Sequence, residues 1–136
     1  MAQDNSNTFE IRVITPDRTF FVGEATLVEF NTTEGEIGIY KRHIPMTVIV
    51  KPGILTITGE DEVKKAALHS GFAEILGESV TILAEVIEWP DEIDEMRAMA
   101  AKERAERYLA ERDPKTDIAR AETALLRAMT RINILK

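Results

Sequence analysis

All seven glycines of this 136-residue chain, at positions 23, 35, 38, 53, 59, 71 and 77, fall within its first 88 residues. Glycine weakens a helix interior by about 1 kcal/mol relative to alanine, and tight turns between strands draw on it. From Asp91 to Lys136 there is no glycine and a single proline, Pro114, among dense Ala, Glu and Arg. The chain therefore divides into a β module over residues 1–88 and a helical arm over 89–136. The expected class is β + α: an antiparallel β-sandwich or flattened barrel followed by a helical hairpin.

Residues 1–7 are polar and are expected to fray. Phe9, Ile11 and Val13 alternate with Glu10 and Arg12, the period-2 pattern of a half-buried strand over 8–15. Thr15-Pro16-Asp17-Arg18 reads as a turn. Further strands are expected at 19–22, 25–31, 36–40, 46–50, 53–58, 63–69, 71–76 and 79–87. Pro52-Gly53, Gly59-Glu60-Asp61 and Gly77-Glu78 mark connections between them.

In the arm, Pro90 punctuates the join and a helix is expected to begin at Asp91 or Glu92. Asp91, Glu92, Asp94 and Glu95 crowd its first turn, where the helix dipole favours anions. Ile93, Met96, Ala100, Tyr108 and Leu109 form an expected apolar stripe. Asp113-Pro114 is expected to end this helix and open the next, with Asp113 as N-cap and Pro114 in the first helical position. Ile118, Ala121, Leu125, Ala128, Ile132 and Leu135 repeat at steps of three and four and form the second stripe. Alanines on both helices permit close packing as an αα-hairpin.

Charge and composition narrow the function. The β module holds seven basic and fourteen acidic residues, so it carries the whole net charge of −7, and the arm is neutral with ten of each. An acidic module lacks the cationic footprint that nucleic acid or anionic lipid requires, so no nucleic-acid partner is expected. The neutral arm suits ion pairs along helices and across interfaces. With no cysteine, there is neither a disulfide framework nor a thiolate metal site, which fits a reducing interior. No basic and apolar leader opens the chain, and no apolar run approaches the roughly 18 residues of a membrane span. Any work at a membrane is therefore expected to go through other proteins.

Enzyme sites find little support. The two histidines, His43 and His69, stand in no HExxH-like spacing, and both read as structural. Ser70, between His69 and Gly71, lacks a GxSxG frame. There is no P-loop and no GxGxxG, so neither a catalytic nor a metal site is expected. A stand-alone ATP-using enzyme is the weakest reading. The arginines carry more information. Arg97 and Arg104 are seven apart on one helix face, and Arg120, Arg127 and Arg131 share a face of the second helix. If the helices pack antiparallel, the two faces converge on a cage of guanidiniums and carboxylate suited to a polyphosphate with its base or sugar. The spacing alone favours arginines paired with nearby carboxylates on a solvated surface, since Glu- and Arg-rich helices are common.

Several stretches together resemble the ε-subunit family of F-type ATP synthases, over essentially the whole chain. They are IRVITPDRTFFVGEATLVEF near the start; Gly35-Glu36-Ile37-Gly38-Ile39 followed by His43-Ile44-Pro45; Ser70-Gly71-Phe72-Ala73-Glu74; Val80-Thr81-Ile82-Leu83-Ala84; and Ile93-Asp94-Glu95-Met96-Arg97-Ala98. The last is similar to the I(L)DxxRA motif of bacterial members that bind ATP, and Arg-Ala-Met-Thr-Arg at 127–131 resembles their second-helix element. The resemblance implies a sandwich of about ten strands that binds the γ subunit and rests on the c-ring. It implies a mobile hairpin that, when extended, reaches the α/β catalytic hexamer and inhibits hydrolysis.

ATP, as a regulatory ligand, would favour the folded hairpin, with Mg²⁺ compatible but not required. The implied ATP contacts are Glu88, Ile93, Asp94, Arg97, Ala98, Arg104, Arg120, Arg127 and Arg131. The implied role is that of a non-catalytic subunit coupling proton flow to rotation. It would lie peripherally at the cytoplasmic face of the bacterial membrane without inserting into it. The alternative keeps the assembly and the brake but makes the nucleotide site vestigial, with hairpin–hexamer contacts in control. Two departures stand out. Ser70-Gly71 replaces the family's Gly-Gly, which puts in question any left-handed backbone at position 70. Trp89-Pro90 occupies the hinge, where proline fixes φ and removes a donor.

Overall fold

The computed structural model of the chain describes residues 7–136, so the expected fraying of residues 1–6 lies outside the described residues. Eight strands form the β module: β1 (Phe9–Ile14), β2 (Thr19–Ala25), β3 (Leu27–Thr32), β4 (Gly35–Ile39), β5 (Met46–Val50), β6 (Gly53–Thr58), β7 (Val63–Ile75) and β8 (Ser79–Glu88). A 3₁₀ turn at Pro90–Glu92 leads into α1 (Glu95–Glu111), and α2 (Ile118–Ile134) completes the arm.

The strands make one hydrogen-bonded network in the order β2-β1-β8-β7-β5-β3-β4, with β6 bridging β3 and β7. It closes over a single apolar core that includes Ile11, Val13, Val28, Phe30, Leu55, Leu68, Ile75, Val80 and Ile82. The expected alternation holds on β1, where Phe9, Ile11 and Val13 are buried and Glu10 and Arg12 exposed. Two expectations for the module change. The nine strands placed from the pattern, and the ten or so that the resemblance implies, are eight in the described residues: 63–69 and 71–76 are one strand that stays paired to β8 through register shifts on either side of Ser70. The sheet is also not wholly antiparallel, since β1 pairs with β8 in parallel. No hairpin joins these two strands, so no turn imposes opposite directions on them.

Glycine is required at position 71 rather than 70. Gly71 has φ +141°, and a Cβ there would fall on the Leu83 carbonyl oxygen and within 2.9 Å of Ala84 Cα. Ser70 is not among the described residues of positive φ, so the serine costs the backbone nothing there.

Within β7 the run Ala66-Ala67-Leu68-His69 is buried throughout. Successive side chains on a strand point to opposite faces. Ala66 and Leu68 belong to the sandwich core, whereas Ala67 and His69 do not, so those two lie on the outer face. There α2 packs over β7 and β6.

The helix boundaries differ from expectation in a consistent way. α1 starts at Glu95, with Asp94 as N-cap accepting from the Arg97 amide at 3.1 Å. Asp91 and Glu92 sit instead in the preceding 3₁₀ turn. The N-cap of α2 is Asp117, which accepts from the Arg120 amide at 3.1 Å. Asp113 and Pro114 belong to the connecting turn, where the Asp113 carboxylate accepts from the Lys115 amide at 2.8 Å and its carbonyl from Thr116. Both aspartates carry the capping chemistry, and only the closing geometry of the hairpin selects between them.

The two helices meet through Ala98 and Ala105 of α1 and Ala121 and Ala128 of α2. The expected α1 stripe fails because Met96 is 82% exposed and Tyr108 is also exposed. The helix instead presents its alanine face, which lets the backbones approach closely. The α2 stripe holds from Ala121 to Leu135, but Ile118 is exposed.

Candidate functional site

The join between module and arm is held by a compact set of contacts. Trp89 stacks on Phe20 at 4.3 Å and meets Phe21 edge-on at 6.2 Å. Glu92 folds back so that its carboxylate accepts from the Trp89 amide at 2.9 Å and from Arg18 Nη2 at 2.8 Å. The Trp89 amide and then Arg18 hold the Glu92 carboxyl below its usual value. Pro90 stands in the first position of the 3₁₀ turn, where a missing N–H costs nothing. The 3₁₀ turn is thereby pinned to the β1–β2 turn.

Beyond this pin, a cleft of about 430 Å³ opens between the end of β8 and both helices, lined by Glu88, Glu92, Asp94, Arg97, Ala98, Ala101, Arg104 and Arg131. Its volume lies within the ordinary range for small-ligand sites. Of the nine residues implied by the sequence, Glu88, Asp94, Arg97, Ala98, Arg104 and Arg131 line it together. Arg120 does not. It lines a second cleft of about 540 Å³ between the helices, which shares Ala101 and Arg104 with the first. Ile93 and Arg127 line neither cleft. The Arg127 Nε is nevertheless a buried donor with no hydrogen-bond partner in the protein.

The charges in the cleft are not equivalent. Glu88 Oε1 accepts from Arg131 Nε at 2.7 Å, tying the last β strand to α2. The same oxygen lies 2.9 Å from His69 Nε2. Asp94 spends one oxygen on its helix cap. Arg97 and Arg104, seven apart on α1, both reach the cleft, as their spacing predicts. Three guanidiniums facing three carboxylates can grip an anionic group and accept hydrogen bonds from a sugar or an amino group.

His69, expected to be structural, stands directly behind the site. His69 is fully buried beneath α2, and its ring meets the cleft residue Glu88 directly. Burial lowers its pKa, the Glu88 hydrogen bond opposes that, and Arg131 and Arg127 add to the lowering. The ring is therefore neutral, with Nε2–H donating to Glu88, and Nδ1 has no partner. The sequence does hold a signal for it. A histidine that directly follows the apolar run Ala66-Ala67-Leu68 fits a strand covered on both faces. The other histidine, His43, contacts the Ile44 carbonyl through Nδ1 at 2.9 Å, a local loop hydrogen bond of the structural kind expected.

Comparison with known proteins agrees with this architecture. Residues 8–90 match the family model of the ATP synthase Delta/Epsilon chain β-sandwich domain. Residues 91–136 match that of the Delta/Epsilon chain long α-helix domain. The chain is 44% identical over 128 residues to the ATP synthase epsilon chain of Caldanaerobacter subterraneus subsp. tengcongensis, covering 93% of each. It is 42% identical over 133 residues to that of Clostridium novyi, covering 96% of this chain and 99% of the relative.

Among solved structures, a chain of the Euglena gracilis mitochondrial ATP synthase (OSCP/F1/c-ring) superposes with a TM-score of 0.83 at 22% identity. The match covers 98% of this chain and 86% of that one. A chain of the Tetrahymena thermophila mitochondrial ATP synthase central stalk and c-ring gives 0.53 at 17% identity, covering 62% and 68%. These two are likenesses of fold. Two matched domain models that together span residues 8–136, with bacterial relatives above 40% identity over nearly full length, place this chain in the delta/epsilon family of ATP synthase subunits.

Proposed function

We propose that the chain is a non-catalytic epsilon subunit in the central stalk of an F-type ATP synthase, in which the arm is a mobile brake and its docked form binds ATP. The observation that carries the reading is the cleft at the module–arm junction. It gathers Arg97 and Arg104 from α1, Arg131 from α2 and Glu88 from the last strand. Ligand groups placed there touch all three elements at once, so binding favours the docked arm over any extended one. The arginines would carry the phosphates, and Arg127 Nε, buried and without a partner, offers a further donor. Glu88 and Asp94 would accept from the adenine amino group or ribose. No group of three or more His, Asp or Glu among the described residues is placed to hold a metal ion, so Mg²⁺ would travel with the nucleotide.

The module would serve the rotor side. Ile49, Phe72 and Leu83 stand directly opposite one another across β5, β7 and β8 and are 62%, 45% and 38% exposed. Such a continuous apolar row on an acidic module suits docking on the γ subunit. Exposed Tyr40 and Ile44 in the β4–β5 connection suit contact with the c-ring. No helix among the described residues is long and apolar enough to cross a membrane. In this reading the chain lies peripherally, at the cytoplasmic face of a bacterial membrane, coupling proton flow to rotation. The extended arm would reach the α/β hexamer and inhibit hydrolysis.

Calorimetric titration of the intact chain with ATP tests the site. One-to-one binding is expected, weakened at least tenfold in Arg97→Ala, whose exposed side chain on α1 lies outside the module core, so the fold should stay intact. Unaltered affinity in that variant would remove the site assignment. A second reading, a vestigial site with hexamer contacts in control, is favoured by Glu88 already occupying Arg131. It predicts no heat at millimolar ATP, while a chain ending at Glu88, reassembled into the complex, would still release hydrolysis.

A further inference from the structure

Among the described residues, His69 is the one buried titratable side chain that touches a cleft residue without itself lining the cleft. It lies on the outer face of β7, and what covers that face is α2, which also carries Arg131 and Arg127. Glu88 Oε1 stands between the ring and Arg131, 2.9 Å from one and 2.7 Å from the other. One carboxylate oxygen therefore joins the module's imidazole to the arm's guanidinium.

We propose that His69 is a positioning residue whose neutral ring holds Glu88 for Arg131, and that its protonation releases the arm from the module. With the ring neutral, Nε2–H donates to Glu88, and Nδ1 carries no hydrogen and so needs no acceptor. Protonation adds a hydrogen at Nδ1, which is buried and faces no acceptor, so an unsatisfied charged donor is created under α2. The new cation competes with Arg131 for Glu88 and faces two arginines. The charged groups around the ring are Glu88 on β8 and Arg127 and Arg131 on α2.

The sign follows from where the proton is better held. In the docked arm, burial and the two arginines disfavour the charged ring. Once α2 leaves, the arginines leave with it, the outer face meets water, and Glu88 remains beside the ring to favour its charge. The undocked state thus binds the proton more tightly. Docking is unaffected well above the ordinary histidine value of 6.5 and weakens as pH falls below it. For one proton excluded from the docked state, the docking constant falls about tenfold between pH 7.5 and 5.5.

The inference rests on the proposed mobility of the arm and not on ATP. The chain has no cysteine, so Glu60→Cys and Glu122→Cys place a fluorophore pair on module and arm without background labelling. The intact chain, without nucleotide, is followed from pH 7.5 to 5.5, above ordinary carboxylate titration. The expected result is a tenfold loss of docking in the starting protein. It should be absent in His69→Gln, whose amide donates to Glu88 without titrating, and retained in His43→Gln. A flat wild-type profile, or the same fall in His69→Gln, overturns the proposal.

Arg131→Ala separates the two readings. If that variant also stays docked, the mobile arm itself is wrong, whereas undocking there with a flat wild-type profile refutes only the role of His69. Should His69→Gln fail to fold, NMR titration of the His69 ring decides. Titration below 6.5 in the intact chain, shifted upward in Arg131→Ala, supports the proposal, and identical titration in both overturns it.

Discussion

Residues that fix the backbone and those that fix the charge behave differently in this chain, and Gly71 and Glu92 show the contrast. Gly71 combines φ +141° with a Cβ direction blocked by the Leu83–Ala84 backbone. Backbone cannot move aside as a side chain can, so Gly71→Ala is expected to destabilise the module by more than about 2 kcal/mol, read from chemical denaturation. The sequence puts a left-handed residue at position 70 in question, and the structure places the positive φ at Gly71 instead. Glu92 is the opposite case. Its ion pair with Arg18 is partly exposed, and such pairs contribute at most about 1 kcal/mol.

Because the Glu92 carboxyl is held below its usual value, its contribution to the hinge is complete above about 4.5 and fades as pH falls through the lowered value. Trp89 is the only tryptophan, so its fluorescence reports the hinge directly. Glu92→Gln should abolish the acid transition of that signal above global unfolding. An unchanged transition would mean that the hinge does not depend on this carboxylate.

At the level of elements, periodicity identified strands and helices well and their edges poorly. The alternation of Phe9, Ile11 and Val13 fixed β1 because both its neighbours and its burial are simple. The pattern predicts two strands, 63–69 and 71–76, where register shifts on either side of Ser70 keep one strand, β7, paired to β8. Ala66–His69 could not show alternation once α2 covered the second face. In α1 the large side chains Met96 and Tyr108 drew the stripe to the wrong face. Alanines carry little hydrophobic signal, and here they are what the helices bury. That face gives a direct test. Ala128 is 1% exposed between α2 and its neighbours, so Ala128→Leu is expected to force the helices apart at a cost of about 1–3 kcal/mol. Amide hydrogen exchange should rise across α1 and α2 and stay unchanged in β1 and β8. Unaltered protection in the arm would mean that the alanine packing is not what holds the hairpin.

In the whole molecule the arm reaches the module at three places: the pinned hinge, the Glu88–Arg131 pair, and the outer face of β7 and β6 beneath α2. The arginine spacing made the α1 contacts legible, since positions seven apart must share a face. It did not reveal that Glu88 binds Arg131, that Arg120 faces a neighbouring cleft, or that His69 stands behind the site. Those depend on how the hairpin lies on the sandwich, which no local pattern encodes. An arm docked at these places is poised for control by a ligand that touches both parts. If ATP binds only the docked form, the docking constant grows by the factor 1 + [ATP]/Kd, about a hundredfold at one hundred times Kd.

The most direct measurement is the module–arm distance in the chain labelled at positions 60 and 122, titrated with ATP at pH 7.5. The account predicts a saturable shift toward the short distance, with a single midpoint, and loss of that shift in Arg97→Ala. A distance distribution that does not change up to millimolar ATP, in a chain whose arm is seen to exchange, would contradict it.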